Sequence, residues 1–499
     1  MEVLSFVLSL KNTFTPVNRI PSDVLSLIPD YWSWKDGDKD RGLIKLTHVC
    51  RGWRGIFTSR PSLWTRLDCT NIDKTRTYVG RSGSSPLGVY LGGFGVTSYQ
   101  EEALLLVAPH INRLKTLVVS EDSTLPLLLE YFSFPAPCLE SLKINLTSEE
   151  VLLPPDDAPV LPDELFGGDL SSLRELDLAG VITSLPWRSM SNLITFDLSH
   201  VPENRILLTQ LLDFFESAPR LSRVHLCGSI PDSSNAPTER VLSIPLLKKL
   251  TIIAQPAHSI LLNHLSIPVG AALQLEFTYS GRQFPIQSYL PSSNNLRNLS
   301  HFTTVNLRSG SKQKSVRLSG PSGELYVHGN WEDDEIPVDP RSGQFFQSLG
   351  LFDFSRCQRL GIALVCCQPS SSTQIATWPH YELLRSMESL RTLMLSRCKN
   401  LPFISTLNPD KNPDRTVLCP ELEEIILYIT DSKEVLVSEL LKMAKGRASR
   451  GAKLSAITIA VVDATPSVRA KNVLKLREHV SRVEYKLEDK LPQWDAVPG

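Results

Sequence analysis

Leu173-Arg174-Glu175-Leu176-Asp177-Leu178 is followed, a step of 20 residues on, by Leu193-Ile194-Thr195-Phe196-Asp197-Leu198. In each, apolar residues two apart alternate with polar ones, the period of a strand buried on one face. The same pattern or a near match starts at Leu114, Leu139, Leu221, Leu247, Leu273, Leu390, Leu422 and Leu454. Apolar stretches of helical spacing stand before several of these, at residues 100–111, 126–134, 209–217 and 258–265. One such strand cannot bury its face alone. Stacked units share a continuous core, so the array is expected to fold only as an array.

The longest internal match pairs Leu349-Gly350-Leu351-Phe352-Asp353-Phe354-Ser355-Arg356-Cys357-Gln358-Arg359-Leu360 with Leu390-Arg391-Thr392-Leu393-Met394-Leu395-Ser396-Arg397-Cys398-Lys399-Asn400-Leu401. Residues 286–335 depart from the pattern. They read as short strands at Val305-Asn306-Leu307, Val316-Arg317-Leu318 and Leu325-Tyr326-Val327, ahead of a solvated acidic loop at Glu332-Asp333-Asp334-Glu335. A helix over 472–482 and a strand over 483–487 close the array. On these motifs residues 111–490 resemble leucine-rich repeats, and the two Cys-bearing copies resemble the cysteine-containing subtype. The resemblance is irregular: Leu390 to Leu422 and Leu422 to Leu454 are steps of 32, against ~20–29 residues in a strict horseshoe. The competing reading is a β-rich or α/β domain in which the motif only marks buried strands.

The N-terminal region has a different character. Ile20-Pro21-Ser22-Asp23-Val24-Leu25-Ser26-Leu27-Ile28-Pro29 places a Pro where a helix start tolerates a missing N–H. Val24, Leu25, Ile28 and Tyr31 then share one helical face. Leu43, Leu46, Val49, Cys50, Trp53, Ile56 and Phe57 form a second face, which Gly52 is expected to divide into two short helices. Pro61-Ser62-Leu63-Trp64 ends the region. So much apolar surface on fewer than ~50 residues needs a partner or the following domain to cover it. Ile20-Pro21, Val49-Cys50-Arg51-Gly52-Trp53 and Pro61-Ser62-Leu63-Trp64 together resemble an F-box over residues 20–67 of the 499. Ile20 stands where the family has Leu, and Trp32 to Arg41 lengthens the first connection. The whole arrangement resembles the F-box proteins with degenerate leucine-rich repeats that are abundant in mushroom-forming fungi.

This resemblance implies an α/β chain: a lead-in (1–19), a three-helix F-box (20–67), a connecting segment (68–110), an irregular solenoid of short parallel strands and helices (111–490) and a tail (491–499). It also implies the substrate-recognition subunit of a cullin-RING ubiquitin ligase. Ile20, Pro21, Val24, Leu25, Ile28, Leu46, Val49 and Trp53 are then expected to dock a Skp-family adaptor, and through it a cullin. Leu63 and Trp64 are expected to pack the helices onto the repeats. The repeats would hold a protein substrate through polar residues between the strand leucines, such as Arg174, Glu175, Thr195, Arg223, Arg391 and Thr392. The rival from another class is a protein-binding scaffold unconnected to ubiquitin, with the helices as its cap.

Bulk properties fit either. Lys+Arg 52 against Asp+Glu 53 gives a net charge of −1, which points to neither nucleic acid nor a membrane surface as partner. No apolar run reaches the ~18 residues of a membrane span. Residues 3–10 are apolar but lack a basic flank, so they read as an amphipathic lead-in helix rather than a signal peptide. The nine cysteines are scattered apart from Cys366-Cys367, which suits reduced thiols in the cytoplasm or nucleus. There is no Gly-x-Ser-x-Gly, no His-Glu-x-x-His and no Cys-x-x-Cys pair, so no enzyme, cofactor or metal is expected. Gly446 to Lys453 only imitates a phosphate loop: Ala452 stands where the Lys is needed. Lys442, Lys445 and Arg447 read instead as cations at a helix C-terminus.

Overall fold

The computed structural model of the chain describes residues 7, 11, 14–31, 39–69, 71–92, 99–120, 130–146, 159–161, 165–183, 190–200, 206–228, 240–253, 260–279, 290, 295, 296, 299, 301–309, 313–331, 349, 352–364, 379–396, 401–429, 434–462 and 474–488. The expected lead-in helix, the acidic run Glu332 to Glu335, the Cys366-Cys367 pair and the tail 491–499 fall outside them, apart from Val7 of the lead-in. The chain is mixed α/β and forms two compact units, Met1–Arg205 with Ser217–Leu221, and Ile206–Glu216 with Ser222–Gly499.

The first unit opens with α1 (Ser22–Leu25), α2 (Ile28–Tyr31), α3 (Lys39–Thr47) and α4 (Arg51–Thr58). The break between α3 and α4 comes before Gly52, not at it. Cys50 is extended and caps α4, its Sγ accepting from the Trp53 N–H at 3.5 Å. Gly52 therefore sits in the first turn of the new helix.

Among the described residues, eight strands follow: β1 (Arg66–Leu67), β2 (Leu87–Leu91), β3 (Leu114–Val119), β4 (Ser141–Asn145), β5 (Val160–Leu161), β6 (Glu175–Ala179), β7 (Ile182–Thr183) and β8 (Thr195–Ser199). The ladder β1–β2–β3–β4–β6–β8 is parallel throughout. It therefore starts at Arg66, within and just after the expected helical domain, rather than at residue 111. Helix α5 (Ile72–Arg81) occupies part of the expected connecting segment, and α6 (Tyr99–Val107) falls in the apolar stretch 100–111 already read as helical.

The second unit holds the remaining described strands: β9 (Arg223–Cys227), β10 (Leu242–Ser243), β11 (Lys249–Ile253), β12 (Leu265–Ser266), β13 (Ala272–Tyr279), β14 (Thr304–Ser309), β15 (Gln313–Gly320), β16 (Gly323–Trp331), β17 (Arg359–Leu364), β18 (Thr392–Ser396), β19 (Glu424–Ile429), β20 (Ala456–Val462) and β21 (Arg482–Glu488). Its helices are α7 (Leu208–Ser217), α8 (Ile260–Asn263), α9 (Pro379–Arg385), α10 (Leu401–Thr406) and α11 (Glu434–Ala448). The ladder runs β9–β11–β13, then β16–β15–β14 as an antiparallel meander, then β17 to β21 in parallel. The three strands expected in the irregular region are present. They enter the ladder as a block, so β13 pairs with β16 rather than with β14.

Strands β3, β4, β6 and β8 bury the same two registered positions. In the first unit Leu117, Leu142, Leu176 and Phe196 are in register, and so are Val119, Ile144, Leu178 and Leu198. All eight are fully buried, and each contributes about 2 kcal/mol of transfer free energy. A turn sets the phase of most of these strands. A buried apolar residue accepts through its carbonyl from the N–H of the motif's first Leu, as in Leu173 to Leu170, Leu390 to Met387 and Leu422 to Cys419.

This turn overturns the longest internal match. Cys357 donates its N–H to the Phe354 carbonyl at 2.9 Å and so takes the place of Leu390. Leu360 is paired with Leu393 across β17 and β18. The Ser-Arg-Cys of residues 355–357 precedes a strand, whereas Ser396 ends one. The shared letters fall at different points of the repeat.

Helix α11 carries Lys445 and Arg447 in its last turn, as the sequence leads one to expect, but Arg447 is not a surface cation. Arg447 is 0% exposed, donating to the Leu418 and Cys419 carbonyls at 2.7 and 2.9 Å. Earlier on the helix, Glu439 accepts from Lys411 at 2.7 Å and from Lys442 at 2.8 Å. Burial works to raise the Glu439 carboxyl, but these two ammonium groups outweigh it and hold the group below its ordinary value. A depressed carboxyl stabilises the fold above the unfolded value of ~4.3 and loses that contribution as pH falls through the folded value. Lys411→Met is thus expected to lower stability by about 0.5 kcal/mol at neutral pH and by less near pH 3. Urea midpoints that differ equally at both pH values would contradict this.

Candidate functional site

The helices α1 to α4 pack around their own small core. Leu25, Leu46 and Trp53 are 2, 6 and 8% exposed and surround Phe57, with Ile20, Ile28, Cys50, Ile56 and Leu63 against them. The Trp53 Nε1 donates to Asn18 Oδ1 at 2.6 Å, and Arg54 reaches back to the Thr47 carbonyl at 3.0 Å. Arg60 ties α4 to the α1 side through Ser26 Oγ at 3.1 Å.

The residues expected to meet an adaptor therefore divide. Leu25, Leu46 and Trp53 face inward, because the helices, four rather than the expected three, close a core of their own. Ile20 and Ile28 are half-buried at the rim. Pro21 is exposed, and Val24 and Val49 are 49 and 55% exposed. Leu27 and Ile44, 41 and 39% exposed, were not singled out by the sequence. Helical spacing defines a face but not which side of it the neighbouring helix takes, so these two carried no separate signal.

Trp64 joins this element to the rest of its unit. It is 1% exposed, and its Nε1 donates to the Phe57 carbonyl at 2.9 Å. Its ring lies edge-on to Tyr78 of α5 at 4.9 Å, with the Arg81 guanidinium 4.4 Å from its centroid. Leu63, its neighbour, packs inward on the helical core instead.

The positions expected to hold a substrate also divide. Glu175 and Thr195 lie side by side in register on β6 and β8. Glu175 accepts from Ser141 at 2.9 Å and pairs with Lys143 at 2.7 Å, so this face carries a cross-strand polar network. Arg223 and Thr392 occupy the equivalent first position of β9 and β18. Arg174 and Arg391 do not share that face. Adjacent residues of a strand point to opposite sides, and both arginines precede their strands, where each carbonyl accepts two N–H groups of the next repeat. Arg391 is within 3.7 Å of Glu421.

On the second unit, Lys249, Gln274, Arg317, Glu324 and Tyr326 line a depression of about 120 Å³, with Arg317 and Glu324 ion-paired. The sequence did not bring these together, because the meander places β16 beside β13. No group of three or more His, Cys, Asp or Glu among the described residues could hold a metal, and no helix there is long and apolar enough to cross a membrane. Burial, above all else, pushes the Cys69, Cys357 and Cys419 thiols up to about 12, which keeps them protonated and inert at neutral pH.

No family model matches the chain, and no curated protein matches it.

Proposed function

We propose that this chain is the substrate-recognition subunit of a cullin-RING ubiquitin ligase, its F-box-like helices docking a Skp-family adaptor and its leucine-rich-repeat-like strands holding a protein substrate. The observation that carries the reading is the apolar exposure on α1, on α3 and in the turns that follow them. Around a core already closed by Leu25, Leu46, Trp53 and Phe57, this small element still leaves Val24, Leu27, Ile44 and Val49 at least 39% exposed. Apolar residues in that number on so few residues mark a protein interface. Trp64 fixes the helices to α5 and so gives a bound adaptor a rigid base. In this reading no covalent chemistry belongs to the chain, and it works in the cytoplasm or nucleus.

The same internal packing suits a second reading, in which the helices cap a protein-binding scaffold not linked to ubiquitination. Adaptor binding separates the two. The intact chain is expected to be retained by an immobilised Skp-family adaptor, with affinity falling about 100-fold in the double variant Val24→Asp, Val49→Asp. Both positions are half exposed, so the fold is expected to survive, which circular dichroism checks. A folded wild-type chain that is not retained leaves the scaffold reading in its place.

A further inference from the structure

The start of β3 and the turns that lead into β2, β4, β6 and β8 line a groove of about 380 Å³ on the first unit. It lies beside the strand faces, at the N-terminal ends of the strands. Its charged groups are Lys115, Glu140, Arg174 and Arg220, the last from the Ser217–Leu221 segment of the same unit. Lys115 is 3.5 Å from Glu140, which compensates it. Among the described residues Arg174 and Arg220 have no carboxylate partner, and both are exposed. The groove thus carries two uncompensated guanidinium groups in a chain whose net charge is −1.

The site is also held in shape. Asn192 accepts from Arg220 Nη1 at 3.1 Å and donates its own Nδ2 to the Ser171 carbonyl at 2.8 Å. Ser172 Oγ donates to the Pro137 carbonyl at 2.6 Å, which ties neighbouring turns together. Pro137 supplies a rigid apolar wall. Planar guanidinium forks match carboxylates two bonds at a time. One held guanidinium and one exposed guanidinium beside an apolar wall fit an extended chain in which carboxylates alternate with apolar side chains.

We propose that this groove is a docking site for an acidic peptide segment of a protein partner, with Arg174 and Arg220 as its anion-binding groups. The inference stands whether or not the chain serves a ligase, because none of these residues belongs to α1 to α4.

The test uses the intact protein and fluorescence anisotropy at about 50 mM NaCl, where screening is modest. The probe is a fluorescein-labelled (Asp-Leu-Glu-Pro)3 peptide, compared with its (Asn-Leu-Gln-Pro)3 counterpart. The acidic peptide is expected to bind at least about tenfold more tightly than the neutral one. Arg174→Gln, Arg220→Gln should abolish that preference, whereas Arg359→Gln, Arg482→Gln on the second unit should leave it intact. Arg174→Lys, Arg220→Lys keeps the charge without the fork and is expected to fall between. Bound peptide should also slow alkylation of the exposed groove thiol Cys138. Equal binding of both peptides, or wild-type binding by the Gln variant, overturns the proposal. So does equal competition by oligothymidine, which would mark an unselective polyanion surface.

Discussion

Trp64→Ala is expected to destabilise the first unit by about 4 kcal/mol. Removing a fully buried Trp side chain costs about 3–5 kcal/mol through lost transfer energy and the cavity left behind. The Phe57 carbonyl would also lose the indole N–H it accepts from, about 1 kcal/mol in net terms. The edge-on contact with Tyr78 and the cation above the ring go with it. These losses overlap, so the whole is placed near the middle of the range rather than at their sum. Trp64→Phe keeps most of the ring and the Tyr78 contact but not the donor, and should cost about 1–2 kcal/mol. A chain of two units need not unfold in one step, so hydrogen exchange read peptide by peptide is the suitable measurement. Protection should fall across 51–91 and remain unchanged across 392–462. An equal fall in both stretches, or a loss under about 1 kcal/mol, would show that Trp64 is not the joint described.

Arg447→Ala is expected to cost about 3 kcal/mol, localised in the second unit. Arg447 is a fully buried cation whose two terminal nitrogens donate to backbone carbonyls, while its Nε is buried with no hydrogen-bond partner among the described residues. Burial pulls its pKa below the ordinary value, yet a guanidinium stays protonated under any physiological condition. Truncation leaves the Leu418 and Cys419 carbonyls unsatisfied and a large void beneath α11. Cys419 is itself held at a left-handed φ of 47°, and Gly446 approaches the same loop so closely that an added Cβ would lie 2.7 Å from Asn408 Oδ1. The loop thus has little freedom to collapse into the void. Arg447→Met fills much of the space without a buried charge and should cost less, about 1 kcal/mol. Urea unfolding followed by exchange at 418–450 reads both variants. Equal losses for Ala and Met would mean that the hydrogen bonds, not the volume, carry the effect.

Much of the strand layout was legible because its signal is local. In Leu173 to Leu178 the alternation names both the strand and the face it buries, since a slip of one residue would turn every Leu outward. The helix expected at 209–217 is present as α7, with Leu211, Leu212, Phe214 and Phe215 buried. The match of residues 349–360 with 390–401 failed for a reason of the same kind. Letter identity carries no phase, whereas the turn from Phe354 to Cys357 does.

The candidate surfaces were less legible. Arg174 was picked out, but for a strand face it does not share, and Arg220, Asn192 and Lys115 carried no pattern until the turns stood side by side. Val24 and Val49 were grouped with Leu25, Leu46 and Trp53 because all fit an apolar helical face, and only packing separates those that close the core from those left outside.

The amino-acid sequence by itself determined most of the extended segments, which of their leucines face inward and where the first N-terminal helix begins, because each of these rests on contacts within about ten residues. The tertiary structure alone decided that β16 lies beside β13, that Trp64 joins the helices to α5 and that Arg447 is buried. Each of those depends on which distant segments meet, and pairing free energy between distant segments is set by the whole ladder rather than by any local pattern.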